Sequence, residues 1–141
     1  MFVLRVRLQV MKEICAENNC TYTCKPAKID EKAIRDPDAS VLTLKLAHAK
    51  ADAIIERMRK ANEPMDGILI TCDQVVTFRG EIREKPDDEA QCRAFLSDYS
   101  NSPDPVNTIA SVVVTHLATG KREGEVDICK LFFKEIPTCV R

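Results

Sequence analysis

The 141-residue sequence predicts an α/β domain built on a mixed sheet, and three observations predict it. Residues 2–10 alternate, with Phe2, Leu4, Val6, Leu8 and Val10 on one face and Arg5, Arg7 and Gln9 on the other. That period of two is the mark of a half-buried strand. Residues 67–72, GILITC, are a continuous apolar run of strand length, as expected of a central strand. Between them Val41, Leu44, His48, Ala51, Ile55 and Met58 recur at spacings of three and four, the stripe of a long amphipathic helix.

In chain order, Met11–Glu17 reads as a short helix that stops at Asn18-Asn19, because asparagine tolerates left-handed backbone. Thr21–Cys24 reads as a strand and Lys25–Glu31 as a loop. The long helix starts at Asp36-Pro37, a cap residue followed by proline at the first helical position, and stops at Asn62 to Pro64. The strand 67–72 is expected to end at Asp73. Val75–Phe78 and Glu81–Glu84 then flank Arg79-Gly80 as a hairpin. Pro86-Asp87-Asp88-Glu89 opens a second helix, its acids matched to the positive end of the helix dipole. Residues 100–107, SNSPDPVN, form a loop. Thr108–Leu117 and Glu125–Phe133, joined by ATGKREG, form an antiparallel pair. No repeat, low-complexity segment or second-domain boundary interrupts residues 1–141, so the chain reads as one domain.

Composition narrows the function classes. With 21 basic against 22 acidic residues the net charge is −1, which gives no field for nucleic acid or an anionic membrane. Aromatic residues are few and tryptophan is absent, so there is no platform for stacking bases. A hydrophobic share of 45% beside 30% charged residues is that of an ordinary soluble globular protein. No apolar stretch approaches a membrane span. Cysteines stand at 15, 20, 24, 72, 92, 129 and 139, odd in number, scattered and without a C-x-x-C pair. They read as free thiols of a reducing cytoplasm. Residues 1–10 carry arginines inside their apolar run and no small-residue cleavage site, unlike a signal peptide.

Several residues are candidates for chemistry, each with a plainer reading beside it. Asp73 at a strand end stands where open α/β sheets keep their ligands; it can ligate a divalent metal or draw a proton from water, or simply form a turn. Lys85 is held extended by Pro86, aimed at a phosphate or out into solvent. Lys50 flanks the apolar stripe and either reaches inward to a phosphate or snorkels along the surface. Glu31 contributes to a metal site or is solvated. His48 reads as packing, and so does Cys72, which has no activating histidine in its motif. The sequence contains no glycine-rich phosphate loop and no G-x-S-x-G. With four glycines in all, phosphates would have to be held by side chains and a metal.

Taken in order, K28-I-D-E-K-A-I34, L46-A-H-A-K-A51, T71-C-D-Q-V-V76 and E84-K-P-D-D-E-A90 resemble the Maf-like proteins, nucleoside triphosphate pyrophosphatases once described as septum-formation inhibitors. The serine/asparagine loop, the valine-rich strand leading to T119-G-K and the strand V126-D-I-C-K-L-F-F133 fit as well. The resemblance runs from about Ile14 to the end of the chain. It implies a bent, mixed sheet flanked by helices, similar to inosine triphosphatase, with a cleft between two lobes. It also implies hydrolysis of nucleoside triphosphates such as dTTP, UTP or modified nucleotides to the monophosphate and pyrophosphate. Asp73 would be the catalytic carboxylate and metal ligand, Glu31 a second metal ligand, and Lys50 and Lys85 the phosphate grip, with Mg²⁺ or Mn²⁺ as cofactor.

Two departures from the family pattern qualify this. Where members carry S-x-S-x-R-R, this chain has V6-R-L-Q-V-M-K12, with no serine before Ser40. Lys12 supplies one phosphate-binding charge there but not a bidentate guanidinium. The chain also ends at Arg141, before the helices and glycine-rich tail that supply a base-contacting glutamine, so roughly a quarter of a member is absent and the domain is a small one. The alternative to hydrolysis is therefore an impaired variant that binds nucleotide or protein, forming a homodimer through open strand edges.

Overall fold

A computed structural model of the chain describes residues 2–3, 13 and 16–139. The elements are β1 (Phe2–Val3), β2 (Tyr22–Thr23), a 3-10 turn at Glu31–Ala33, α1 (Ala39–Lys60), β3 (Ile68–Phe78), β4 (Glu81–Arg83), α2 (Glu89–Tyr99), β5 (Val106–His116) and β6 (Arg122–Leu131). They build the mixed α/β architecture expected. The strand order is β2-β1-β3-β5-β6, with β4 paired to β3. β1 runs parallel to β2 and β3, whereas β3–β4, β3–β5 and β5–β6 are antiparallel. Of the strand expected over 2–10 only β1 lies within the described residues, and of the helix over 11–17 only Glu13, Ala16 and Glu17, all helical. Asn19 ends that helix at φ 51°. Among the described residues no helix is long and apolar enough to cross a membrane.

The long helix begins two residues later than Asp36-Pro37 indicates. Asp38 is the cap, its Oδ1 accepting the Ser40 and Val41 amides at 2.8 and 3.2 Å. Asp36 instead accepts the Asp38 amide at 2.9 Å and the Lys45 ammonium at 2.6 Å, a turn that leads the chain into the cap. The buried face also differs from the expected stripe. Leu42, Leu46, Ala47, Lys50, Ala51, Ile54, Ile55 and Met58 are buried, whereas Val41 is 40% exposed. The face is turned so that Ala47 and Ala51, both at 0% exposure, and the charged Lys50 lie on the inner side. Spacing of apolar residues alone cannot register that.

β3 corrects a second expectation. GILITC does not stop at residue 72; it continues through Val75–Phe78 as one strand, so Asp73 is its middle residue rather than its end. Antiparallel pairing with β5 runs along its whole length and holds it straight through residue 73. Its other edge pairs with β1 at Ile68 and Leu69 and with β4 at Val76 to Phe78. Among the described residues, positions 70–75 have no strand partner on that edge. The hairpin turn falls at Arg79-Gly80 as expected, with φ of 49° and 83°, the two positive values that a type I′ turn requires.

Side chains of β3 alternate between two cores. Leu69, Val75 and their neighbours meet Leu42, Leu46, Ala51 and Ile54 of α1. Val76 and Phe78 point the other way and meet Phe95 and Tyr99 of α2, together with Val106, Phe133 and Ile136. Phe78 meets Tyr99 edge-on at 5.1 Å between ring centroids, and Phe133 stacks on Tyr99 at 5.7 Å. Asp88 caps α2 through the Gln91 amide at 2.7 Å. β6 is the outer strand, and its Glu123, Glu125 and Asp127 lie on the face that also exposes Val112 and Val114.

Candidate active site

Asp73, Lys50 and Glu31 come together although α1 and β3 separate their origins. Thr71 donates its hydroxyl to the Ala47 carbonyl at 2.8 Å, tying the middle of β3 to the middle of α1. One helical turn on, Lys50 meets Asp73, Nζ to Oδ1 at 2.5 Å, and also approaches Glu31 Oε1 at 3.2 Å and the Cys72 carbonyl at 3.5 Å. Glu31 is the first residue of the 3-10 turn, which Asp30 caps through the Lys32 amide at 3.1 Å. Lys50 is only 7% exposed, and an ammonium at that depth needs paired charge. The two carboxylates supply it.

Burial pushes the Asp73 carboxyl above the ordinary aspartate range; the hydrogen bond and charge of Lys50 oppose this, while Glu31 and Glu84 add to it. A carboxylate so placed is a stronger base than an exposed one. Cys72 is buried, and desolvation pushes its thiol up to about 11, so it packs rather than attacks. Half-buried His48 has Nδ1 3.4 Å from Arg122 Nη1 and takes no part in the cleft wall.

The cleft in front of Asp73 has a volume of about 1030 Å³, the size of a site for a nucleotide-sized ligand. Leu42 and Leu46 line one side, Phe95, Leu96 and Tyr99 the other, with Ile82 and the segment Arg83 to Asp87 between them. Lys85 is exposed and lines the same cleft as Asp73. Lys50 is not part of the wall; it stands behind Asp73, already held by carboxylates. Lys12 lies outside the described residues.

Asp73 and Glu31 converge on a single cation position, now taken by the Lys50 ammonium. Among the described residues no group of three or more His, Cys, Asp or Glu could hold a metal by itself. Mg²⁺ ordinarily takes one or two carboxylates and completes its shell with water and substrate phosphates, so this pair fits such an ion. Lys32, Arg35 and Glu84 also stand on the cleft wall; Lys32 and Glu84 fall within the motifs quoted above but are not among the candidates read from them. Glu84 pairs with Arg35 at 3.5 Å, and its signal is present in E84-K-P. No motif marks Ser111, which pairs with Asp73 across the sheet; no local pattern surrounds it.

Fold and site together define a class: an α/β protein with a mixed sheet whose central strand carries a buried aspartate–lysine pair to an open cleft. The family follows from comparison with known proteins. The chain matches the family described as Maf-like protein over residues 5–139 and belongs to it. It is similar to a 7-methyl-GTP pyrophosphatase of Dictyostelium discoideum, 39% identical over 127 residues, covering 89% of this chain and 64% of that protein. It is also similar to a 7-methyl-GTP pyrophosphatase of Alkalilimnicola ehrlichii, 32% identical over 95% of this chain and 63% of that protein. A dTTP/UTP pyrophosphatase of Chelativorans sp. matches at 27% identity over 92% of this chain and 59% of that protein. The chain thus spans less than two thirds of the length of these relatives.

Proposed function

We propose that this chain hydrolyses a nucleoside triphosphate to the monophosphate and pyrophosphate, with 7-methyl-GTP, dTTP and UTP the first substrates to compare. The observation that carries the reading is the convergence of Asp73, Lys50 and Glu31 at the middle of β3, behind a cleft that Lys85 lines. Names of the similar proteins support the same chemistry. In this reading Asp73 takes a proton from a water molecule as its oxygen attacks phosphorus of the α–β anhydride. The bond from phosphorus to the bridging oxygen breaks, and the electron pair leaves with pyrophosphate. Lys85 holds the phosphate chain from the wall, Lys12 adds charge, and Lys50 exchanges a carboxylate for a phosphate oxygen as the anion enters. Asp73 and Glu31 would hold a divalent cation, Mg²⁺ or Mn²⁺, which when bound neutralises phosphate charge that repels the attacking water.

The test is pyrophosphate release with Mg²⁺ or Mn²⁺. Asp73→Asn should lower it by about 100-fold or more, since a general base supplies about 10²–10⁴-fold. Undiminished release removes Asp73 from the mechanism. A second reading, a module that binds nucleotide without cleaving it, draws on the neutralised state of Lys50; calorimetric binding without pyrophosphate release would favour it. The six described cysteines are free, which supports a reducing, cytoplasmic setting. Pairing between copies would use the β6 edge once added electrolyte shields its carboxylates.

A further inference from the structure

Among the described residues five polar ones are buried: Thr43, Lys50, Thr71, Ser111 and Thr115. Thr43 donates to the Ser40 carbonyl, Thr71 to the Ala47 carbonyl, and Lys50 to Asp73, while Thr115 accepts from Arg122 Nε at 3.0 Å. Ser111 is 0% exposed and its Oγ has no hydrogen-bond partner among the described residues. A buried hydroxyl left unpaired costs stability, and such groups are rare in folded proteins. Ser111 lies directly opposite Asp73 in the β3–β5 ladder, so the two side chains rise from the same face with Cβ atoms about 5 Å apart.

We propose that Ser111 is a positioning residue for Asp73: its hydroxyl donates to the Asp73 carboxylate when Lys50 turns to the substrate. This deepens the function proposed above and rests on it for the role of Lys50. Lys50 cannot hold Asp73, Glu31 and an incoming phosphate with one ammonium. When it leaves, Asp73 remains half-buried, charged and without its hydrogen bond. A rotatable hydroxyl from the neighbouring strand restores one donor without adding charge, and keeps the carboxylate aimed at the cleft. In the resting arrangement Lys50 occupies Asp73, and the hydroxyl stays unpaired.

The experiment compares wild type, Ser111→Ala, Ser111→Thr, Asp73→Asn and the Ser111→Ala/Asp73→Asn double variant. It reads the thermal midpoint, the affinity for Mn²⁺ alone by electron paramagnetic resonance, and pyrophosphate release. Ser111→Ala should keep or raise the midpoint, because it removes an unpaired polar group, yet weaken Mn²⁺ binding about tenfold, as loss of a hydrogen bond to a charged group does. Ser111→Thr, which keeps the hydroxyl, should recover much of that loss. Within the Asp73→Asn background the serine change should have no further effect, the sign that it acts through Asp73. A lowered midpoint in Ser111→Ala, unchanged Mn²⁺ affinity, or a loss that persists without Asp73 would each overturn the inference. So would a wild-type chain that binds no Mn²⁺, even one that releases pyrophosphate. A wild type that shows the expected Mn²⁺ coupling but releases none would overturn hydrolysis and leave the serine–aspartate pair standing.

Discussion

In the proposed role Asp73 carries opposing demands: a base should hold its proton readily, and a buried partner of a lysine should shed it. Burial prevails over Lys50, and the carboxyl sits above 3.8, its ordinary value. A raised carboxyl pKa means that the folded chain binds the proton more tightly than the unfolded chain. Its favourable contribution is therefore full below the unfolded value and is lost as pH rises through the folded one. Denaturant midpoints measured on metal-free protein across the acid range should show wild type losing ground to Asp73→Asn as pH climbs; a gap that stays constant or moves the other way would contradict the assignment. How much of this is legible in the residues varies. Asp73, Lys50, Glu31 and Lys85 stand in ordered motifs, so the amino-acid sequence alone offers them as candidates. That Lys50 faces carboxylates from the buried side, and that Ser111 meets Asp73, depends on helix rotation and strand register, which no local pattern encodes.

The elements show the same division. Strand and helix types are readable because their periods of two and 3.6 differ. The extent of β3 is not, because a polar residue after an apolar run resembles a strand end, whereas pairing with β5 carries the strand through it. Acids at both 36 and 38 can begin a helix, and only geometry separates them. Asp38→Ala should destabilise the protein by about 1 kcal/mol, the usual cost of a lost cap. Asp36→Ala should cost less, since its bonds to the Asp38 amide and Lys45 are exposed. Chemical denaturation of the two variants side by side checks the order.

Across the whole molecule, Arg83 fastens the β4 hairpin to α2. It is 10% exposed, bonded to Asp98 Oδ2 at 2.6 Å, and its guanidinium carbon lies 4.8, 4.6 and 5.1 Å from the ring centroids of Phe78, Phe95 and Tyr99. Arg83→Met keeps much of the volume but loses the charge. It should cost about 1–2 kcal/mol and speed amide exchange in α2 while α1 stays protected. Uniform exchange in both helices would show that the rings alone hold α2. Composition prepares none of this, because the cage is assembled from β3, β4 and α2. At the far side of the sheet, Glu123, Glu125 and Asp127 line the outer strand. Two molecules approaching border to border, head against tail, would oppose these carboxylates, and the repulsion reaches roughly 8–10 Å in physiological buffer. Sedimentation should therefore find single molecules in dilute buffer, with association growing as added electrolyte shields the row; this border is a self-avoiding one whose reserve is tuned by ionic strength.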